Sequence, residues 1–221
     1  MFGTIKGGNI IYRLITFWAD AAMFSWLMPH RNEGEGKTNP NMAQVIVFNH
    51  TSFIDIPIML KTLRRFRIRI LAKASMGKVP IFGYIYKQGT IMVDRSSPVA
   101  RAASIDRMKA MIRKKISIVI APEGTFNMTS APLKEFYNGA FKIAIEMGVP
   151  IQPVIFLDAY DRLSYKSIFS LTPGKSVSVF LEPISTDGLM EQDMEQLKMK
   201  VFDAMEAALI KRNVSWIRNG Q

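Results

Sequence analysis

No cysteine occurs among the 221 residues, and only two histidines, His30 and His50. Without thiols the chain forms no disulfide, holds no Cys-ligated metal and has no thiolate nucleophile. Two histidines are too few for a multi-histidine metal centre, and no cofactor is expected. Acidic residues are scarce as well: 18 Asp and Glu stand against 29 Lys and Arg, a formal net charge of +11. That excess points to an anionic partner, which is a phospholipid surface, a phosphorylated substrate or nucleic acid. No zinc-finger spacing, helix-turn-helix cue or RNA-binding aromatic pattern accompanies the charge, so nucleic acid is not the expected partner. Internal repeats and low-complexity tracts are missing too. So is a long uninterrupted apolar run: the most apolar segment, 9–28, contains Arg13 and Asp20 and is followed by no cleavage-site pattern. Neither a signal peptide nor a clean membrane span is expected from it.

What is present suits one globular domain with a small appendage, since 48% of the residues are apolar and the length allows a sizeable core. Within 9–28, Arg13, Thr16 and Asp20 share one helical face, while Ile11, Leu14, Ile15, Trp18 and Ala22 lie largely elsewhere. Two readings stand: an amphipathic helix lying in a membrane interface, or a helix packed on the protein's own core. Residues 31–41 are polar and rich in Gly and Asn and read as a linker. The expected division is therefore 1–41, an N-terminal membrane-interface helix and linker, and 42–221, the main domain. Basic residues gather at 61–69, 107–115 and 211–212. The first cluster is interleaved with Phe66 and Ile68, which suits lipid head groups better than a plain solvated face. The loop 160–169 has the same mixed character and is a second expected membrane contact, or else a surface loop with its aromatics folded inward.

From Val45 onward, strand-like and helix-like segments alternate. Strands are expected at 45–48, 67–72, 90–93, 116–120, 151–157 and 176–181. Helices are expected at 56–63, 98–115, 138–147 and 189–212, with a helical turn at 80–88. That alternation predicts an α/β fold with a mostly parallel central sheet flanked by helices.

Chemistry collects where the strands end. Val45-Ile46-Val47-Phe48 runs into Asn49-His50-Thr51-Ser52-Phe53-Ile54-Asp55. On one continuous helix His50 and Asp55 would lie roughly 140° apart and could not meet. With His50 in a turn and Asp55 in the first turn of a helix, the imidazole folds back onto the carboxylate as a general-base pair. Ser52-x-x-Asp55 is equally a capping signature, in which Asp55 only caps its helix. Ile118-Val119-Ile120 delivers Glu123 to a sheet end beside a tight turn, and Thr90-Ile91-Met92-Val93 delivers Arg95. Ligands of such sheets bind outside the carboxyl ends of the strands. A guanidinium there is suited to clamping a phosphate, although an ion pair with Asp94 would also occupy it.

His50-x4-Asp55, Arg95 after a Gly-Thr-Ile strand, Glu123-Gly124-Thr125 and Val149-Pro150-Ile151 occur in this order. Together, over about residues 44–182, they resemble the four sequence blocks of the glycerolipid acyltransferases, specifically the lysophosphatidic acid (1-acyl-sn-glycerol-3-phosphate) acyltransferases. The resemblance implies acyl transfer from acyl-CoA or acyl-carrier protein to the free sn-2 hydroxyl of 1-acyl-glycerol-3-phosphate. The product would be phosphatidic acid, for phospholipid biosynthesis. It implies that His50 is the general base and Asp55 its orienting partner, and that transfer weakens as His50 is protonated. Lys73 and Arg95 would bind the phosphate, Glu123, Gly124 and Thr125 would shape the acceptor site, and Pro150 would belong to the fourth block. It also implies a lysophospholipid acceptor, an anionic phospholipid membrane surface as partner, and a place at the cytoplasmic face of the inner (plasma) membrane. Where many relatives begin with a strongly hydrophobic anchor this chain has only 9–28, so the attachment expected is peripheral or monotopic. One position departs: the family's third block usually continues with arginine, and here it is Phe126. That keeps open a different acceptor, such as an acyl-amino-acid lipid. A non-catalytic membrane-binding protein on the same fold is the expectation from another class.

Overall fold

Val45–Phe48 (β2) is buried along its whole length, as a strand must be when it lies inside a parallel sheet covered on both faces. The computed structural model describes residues 5–73, 90–93, 98–167 and 169–218. Before β2 come helix α1 (Ile5–Ser25) and strand β1 (His30–Glu33). After it come α2 (Asp55–Thr62), β3 (Ile68–Lys73), β4 (Thr90–Val93), α3 (Pro98–Arg113) and β5 (Ser117–Ile120). The remainder is α4 (Gly139–Met147), β6 (Ile151–Phe156), α5 (Ala159–Arg162), β7 (Ser176–Phe180), α6 (Met194–Lys211) and α7 (Ser215–Arg218). The helical turn expected at 80–88 lies outside the described residues.

The seven strands form one sheet in the order β1-β7-β6-β2-β5-β3-β4. All neighbours run parallel except β6 and β7, which pair antiparallel. Strand periodicity divides the apolar residues between two faces. Val45, Val47, Ile118, Ile120, Ile151 and Ile155 join one core, with α4 and α6 over it. Ile46, Phe48, Val119, Val154 and Phe156 join the other, with α1 and α2 over it. Burying a side chain such as Phe141 or Ile143 stabilises the fold by about 1.5–3 kcal/mol.

Two segments differ from expectation. Residues 31–41 are not a plain linker, because His30–Glu33 pairs with β7 at the sheet's edge. The division expected after residue 41 therefore falls between two strands of one sheet. Helix α1 has apolar residues on two sides. Ala19 and Met23 are buried against α2 and the sheet, whereas Leu14, Phe17 and Phe24 on the far side are 62%, 73% and 82% exposed. Asp20 ties α1 down through Lys61 and Arg64 of the α2 end, at 3.2 and 3.0 Å. Tyr12 adds a latch by accepting the Ile70 N–H at 3.1 Å. No helix among the described residues is long and apolar enough to cross a membrane.

The topology fixes where a site can form. After β2 the chain passes to α2 on one face; after β5, the adjacent strand, it leads to α4 on the opposite face. The two chains separate at the carboxyl ends of neighbouring strands and open a crevice there.

Candidate active site

His50 leaves the carboxyl end of β2, and Asp55 is the first residue of α2. The turn between them brings His50 Nδ1 to 2.7 Å from Asp55 Oδ2. The same oxygen accepts the backbone N–H groups of Thr51 and Ser52, each at 2.9 Å. The carboxylate thus braces the turn ahead of the helix while it holds the imidazole, and the helix start itself carries no side-chain cap. Ser52 Oγ accepts the Ile54 N–H at 3.1 Å and tightens the turn further. Asp55 is fully buried, while the His50 side chain remains 20% exposed. An oxygen that already accepts two N–H groups is an acceptor toward His50 as well, so Nδ1 carries the proton. The lone pair of Nε2 is then left to take a proton from a bound hydroxyl.

The next strand supplies the back wall. Gly124 has a φ of 72°, a left-handed conformation that favours glycine, and its N–H closes a turn onto Ala121 at 3.0 Å. The turn leaves Glu123 1% exposed. One Glu123 oxygen accepts the His50 N–H at 2.8 Å and the other the Lys134 N–H at 2.9 Å. Asn127 adds a third strut, its N–H donating to the His50 carbonyl at 2.6 Å. Glu123, expected to shape the acceptor site, is buried as a bracket between the His50 turn and the 134 region. Burial pushes its carboxyl up to about 7, against the opposing pull of the two backbone N–H groups.

Of the other expected residues, Thr125 is exposed and accepts from Lys134 Nζ at 2.7 Å. Pro150 contributes its carbonyl to the Val45 N–H at 3.0 Å and so extends the β2–β6 ladder. Lys73 ends β3, one strand over from β5, and Arg95 lies outside the described residues. The geometry thus joins His50, Asp55, Glu123, Gly124 and Thr125 and leaves Pro150 a backbone role.

Two features were not anticipated. Asn49 bridges β2 and β6 like an extra rung: its Nδ2 donates to the Phe156 carbonyl at 3.1 Å, and its Oδ1 accepts the Phe156 N–H at 2.7 Å. An amide directly after an apolar strand and directly before His50 was the available signal. The second is an aromatic wall. Phe126 meets the His50 ring edge-on at 4.4 Å, and Phe53 meets Phe126 at 4.8 Å. Phe53 and Met128 are 51% and 59% exposed, so the mouth of the crevice is apolar. The loop from 160 to 169 lies beside this mouth, with Tyr165 Oη donating to the Met128 carbonyl at 3.3 Å. Its aromatics divide: Tyr160 turns inward toward Trp216, and Phe169 stands in solvent.

Comparison with known proteins follows the same outline. The acyltransferase family model matches residues 30–157, more than half of the chain. The chain is 28% identical to the 1-acyl-sn-glycerol-3-phosphate acyltransferase of Cocos nucifera, over 94% of this chain and 64% of that protein. It is 29% identical to the human 1-acyl-sn-glycerol-3-phosphate acyltransferase beta, over 80% of this chain and 63% of that protein. The chain thus spans somewhat less than two thirds of either relative. In fold it matches the crystal structure of the 1-acyl-sn-glycerophosphate acyltransferase PlsC from Thermotoga maritima, with a TM-score of 0.77 at 21% identity. That match covers 96% of this chain and 83% of that one.

Proposed function

The chain belongs to the acyltransferase family, and we propose that within it the protein acylates the free sn-2 hydroxyl of 1-acyl-glycerol-3-phosphate to give phosphatidic acid. The acyl group comes from acyl-CoA or an acyl-carrier protein. Nε2 of His50 takes the hydroxyl proton as the oxygen attacks the thioester carbonyl. The carbon–sulfur bond then breaks, and the proton passes to the departing thiolate, so no acyl-enzyme forms and no cofactor is needed. Asp55 holds the tautomer and stabilises the imidazolium that develops. The observation that carries this reading is the 2.7 Å His50–Asp55 pair, set on a fully buried carboxylate in the crevice between β2 and β5.

The outer face of α1 supports peripheral attachment to an anionic membrane, with the exposed Phe53, Met128 and Phe169 as further contacts. Basic side chains beside exposed aromatics combine electrostatic attraction with insertion.

Phe126 favours a second reading. An aromatic ring whose centroid lies 4.4 Å from that of His50 gives an acceptor phosphate no hydrogen bond, so another lysolipid, such as an acyl-amino-acid lipid, is the alternative acceptor. Acyl transfer to lysophosphatidic acid, monoacylglycerol and an acyl-amino-acid lipid, each with both donors, separates the two. Product from lysophosphatidic acid supports the first reading. Transfer confined to another acceptor supports the second, and no transfer with either donor contradicts both.

A further inference from the structure

A cleft of about 450 Å³ lies between α1 and the segment that joins α2 to β3. It is not part of the His50 site. It sits beside the C-terminal end of α2 and the amino end of β3, whereas Asp55 opens α2, about 12 Å away along the helix axis. Arg13, Arg64, Arg65, Arg67 and Arg69 line it. Asp20 is the one acidic group lining the cleft among the described residues, and Lys61 and Arg64 already hold it. Arg13, Arg65 and Arg67 are exposed and form no ion pair among the described residues. Gathering guanidinium groups in this way is unfavourable through mutual repulsion unless an anion joins them.

The cleft wall is built rather than incidental. Arg69 is 6% exposed, lies 5.3 Å from the Tyr12 ring centroid and donates Nη1–H to the Ile68 carbonyl at 2.8 Å. The Tyr12 hydroxyl in turn accepts from Ile70. One rim is apolar: Phe17 lines the cleft and is 73% exposed, next to Leu14 at 62%.

We propose that this cleft is a second lipid site, which binds the phosphate of an anionic phospholipid headgroup while the lipid's chains lie along Leu14 and Phe17. Planar guanidinium forks match phosphate oxygens in pairs, and the stripe on α1 matches the acyl chains. An acidic protein surface would satisfy the arginines and leave that stripe in water. The inference rests on the protein's working at a bilayer but is independent of the acceptor it acylates.

The test measures partition of the full chain onto phosphatidylcholine vesicles with and without phosphatidic acid. The variants are Arg13→Ala/Arg65→Ala/Arg67→Ala and, as a charge-matched control, Lys114→Ala/Lys200→Ala/Lys211→Ala. The arginine variant is expected to lose about a hundredfold in partition onto the acidic vesicles, and the lysine control about threefold or less. Transfer between short-chain, monodisperse substrates should stay unchanged in the arginine variant, which keeps failure of this site distinct from failure of the catalytic reading. Arg13→Lys/Arg65→Lys/Arg67→Lys, which keeps the charge, should retain binding to within about tenfold. Equal losses in the two alanine variants would overturn the proposal in favour of diffuse charge. Unchanged vesicle partition in the arginine variant, together with glycerol 3-phosphate bound by the wild type and not by that variant, would assign the cleft to a soluble phosphate and overturn the lipid assignment. So would loss of transfer from a carrier-protein donor with vesicle binding intact, which would mark a protein dock.

Discussion

Replacing Glu123 with glutamine isolates the cost of the carboxylate buried behind His50. Its pKa is raised from an ordinary value of 4.5 to about 7, chiefly by burial. The folded protein therefore holds this proton more tightly than the unfolded chain does. The resulting stability is fully present below pH 4.5 and is lost as pH rises through about 7. Between pH 5 and pH 8 the change amounts to about 2.5 kcal/mol. Glutamine keeps the shape but cannot titrate. It accepts from only one of the two backbone N–H groups that Glu123 bridges, those of His50 and Lys134, and turns an amide N–H toward the other. That penalty is the same at every pH. Urea unfolding of both proteins at pH 5 and pH 8 gives four free energies, and the difference of differences removes all other titrating groups. The wild type should lose about 2.5 kcal/mol more than Glu123→Gln over this interval. A value under about 0.5 kcal/mol would refute the reasoning, since it would mean that the backbone N–H bonds cancel the burial.

Two further substitutions probe the turn itself. Asp55→Asn, with its amide oxygen in the place of Oδ2, keeps an acceptor for the Thr51 and Ser52 N–H groups and for His50 Nδ1–H, but it removes the negative charge that fixes the tautomer and stabilises the imidazolium. Transfer should fall about a thousandfold, equivalent to about 4 kcal/mol of barrier, with the unfolding midpoint little changed; a loss under tenfold would contradict the orienting role. Asn49→Leu strands the buried Phe156 N–H and carbonyl that the amide serves. Denaturant unfolding should show a loss of about 3 kcal/mol, and a change below about 1 kcal/mol would mean that water or another group replaces the bridge.

The turn that pairs His50 with Asp55 was legible because its causes are local. Four apolar residues set β2, and Ser52-x-x-Asp55 marks a tight turn into a helix at the distance that lets the imidazole fold back. The sheet was legible for the same reason, since each strand from β2 to β7 carries its own apolar run. Strand β1 was not: His30-Arg31-Asn32-Glu33 is polar, and what makes it a strand is pairing with β7, far away in sequence. The inward course of Glu123 was equally hidden, because a carboxylate after a strand reads as reaching solvent. Only the contact between the β5 turn and the His50 backbone turns it into a bracket. The two readings of α1 looked exclusive in one dimension, yet packing uses one side of the helix and leaves Leu14, Phe17 and Phe24 of the other exposed.

On the proposed reading, the His50 imidazole is the base of an acyl transfer. His50→Ala removes the ring alone, because the brackets from Glu123 and Asn127 hold the His50 backbone and the side chain is already 20% exposed. Transfer from a labelled acyl donor to the preferred lysolipid should therefore drop by about a thousandfold or more, with the unfolding midpoint and vesicle binding of the wild type retained. A folded, vesicle-binding variant that still transfers acyl groups at near the wild-type rate would contradict the account.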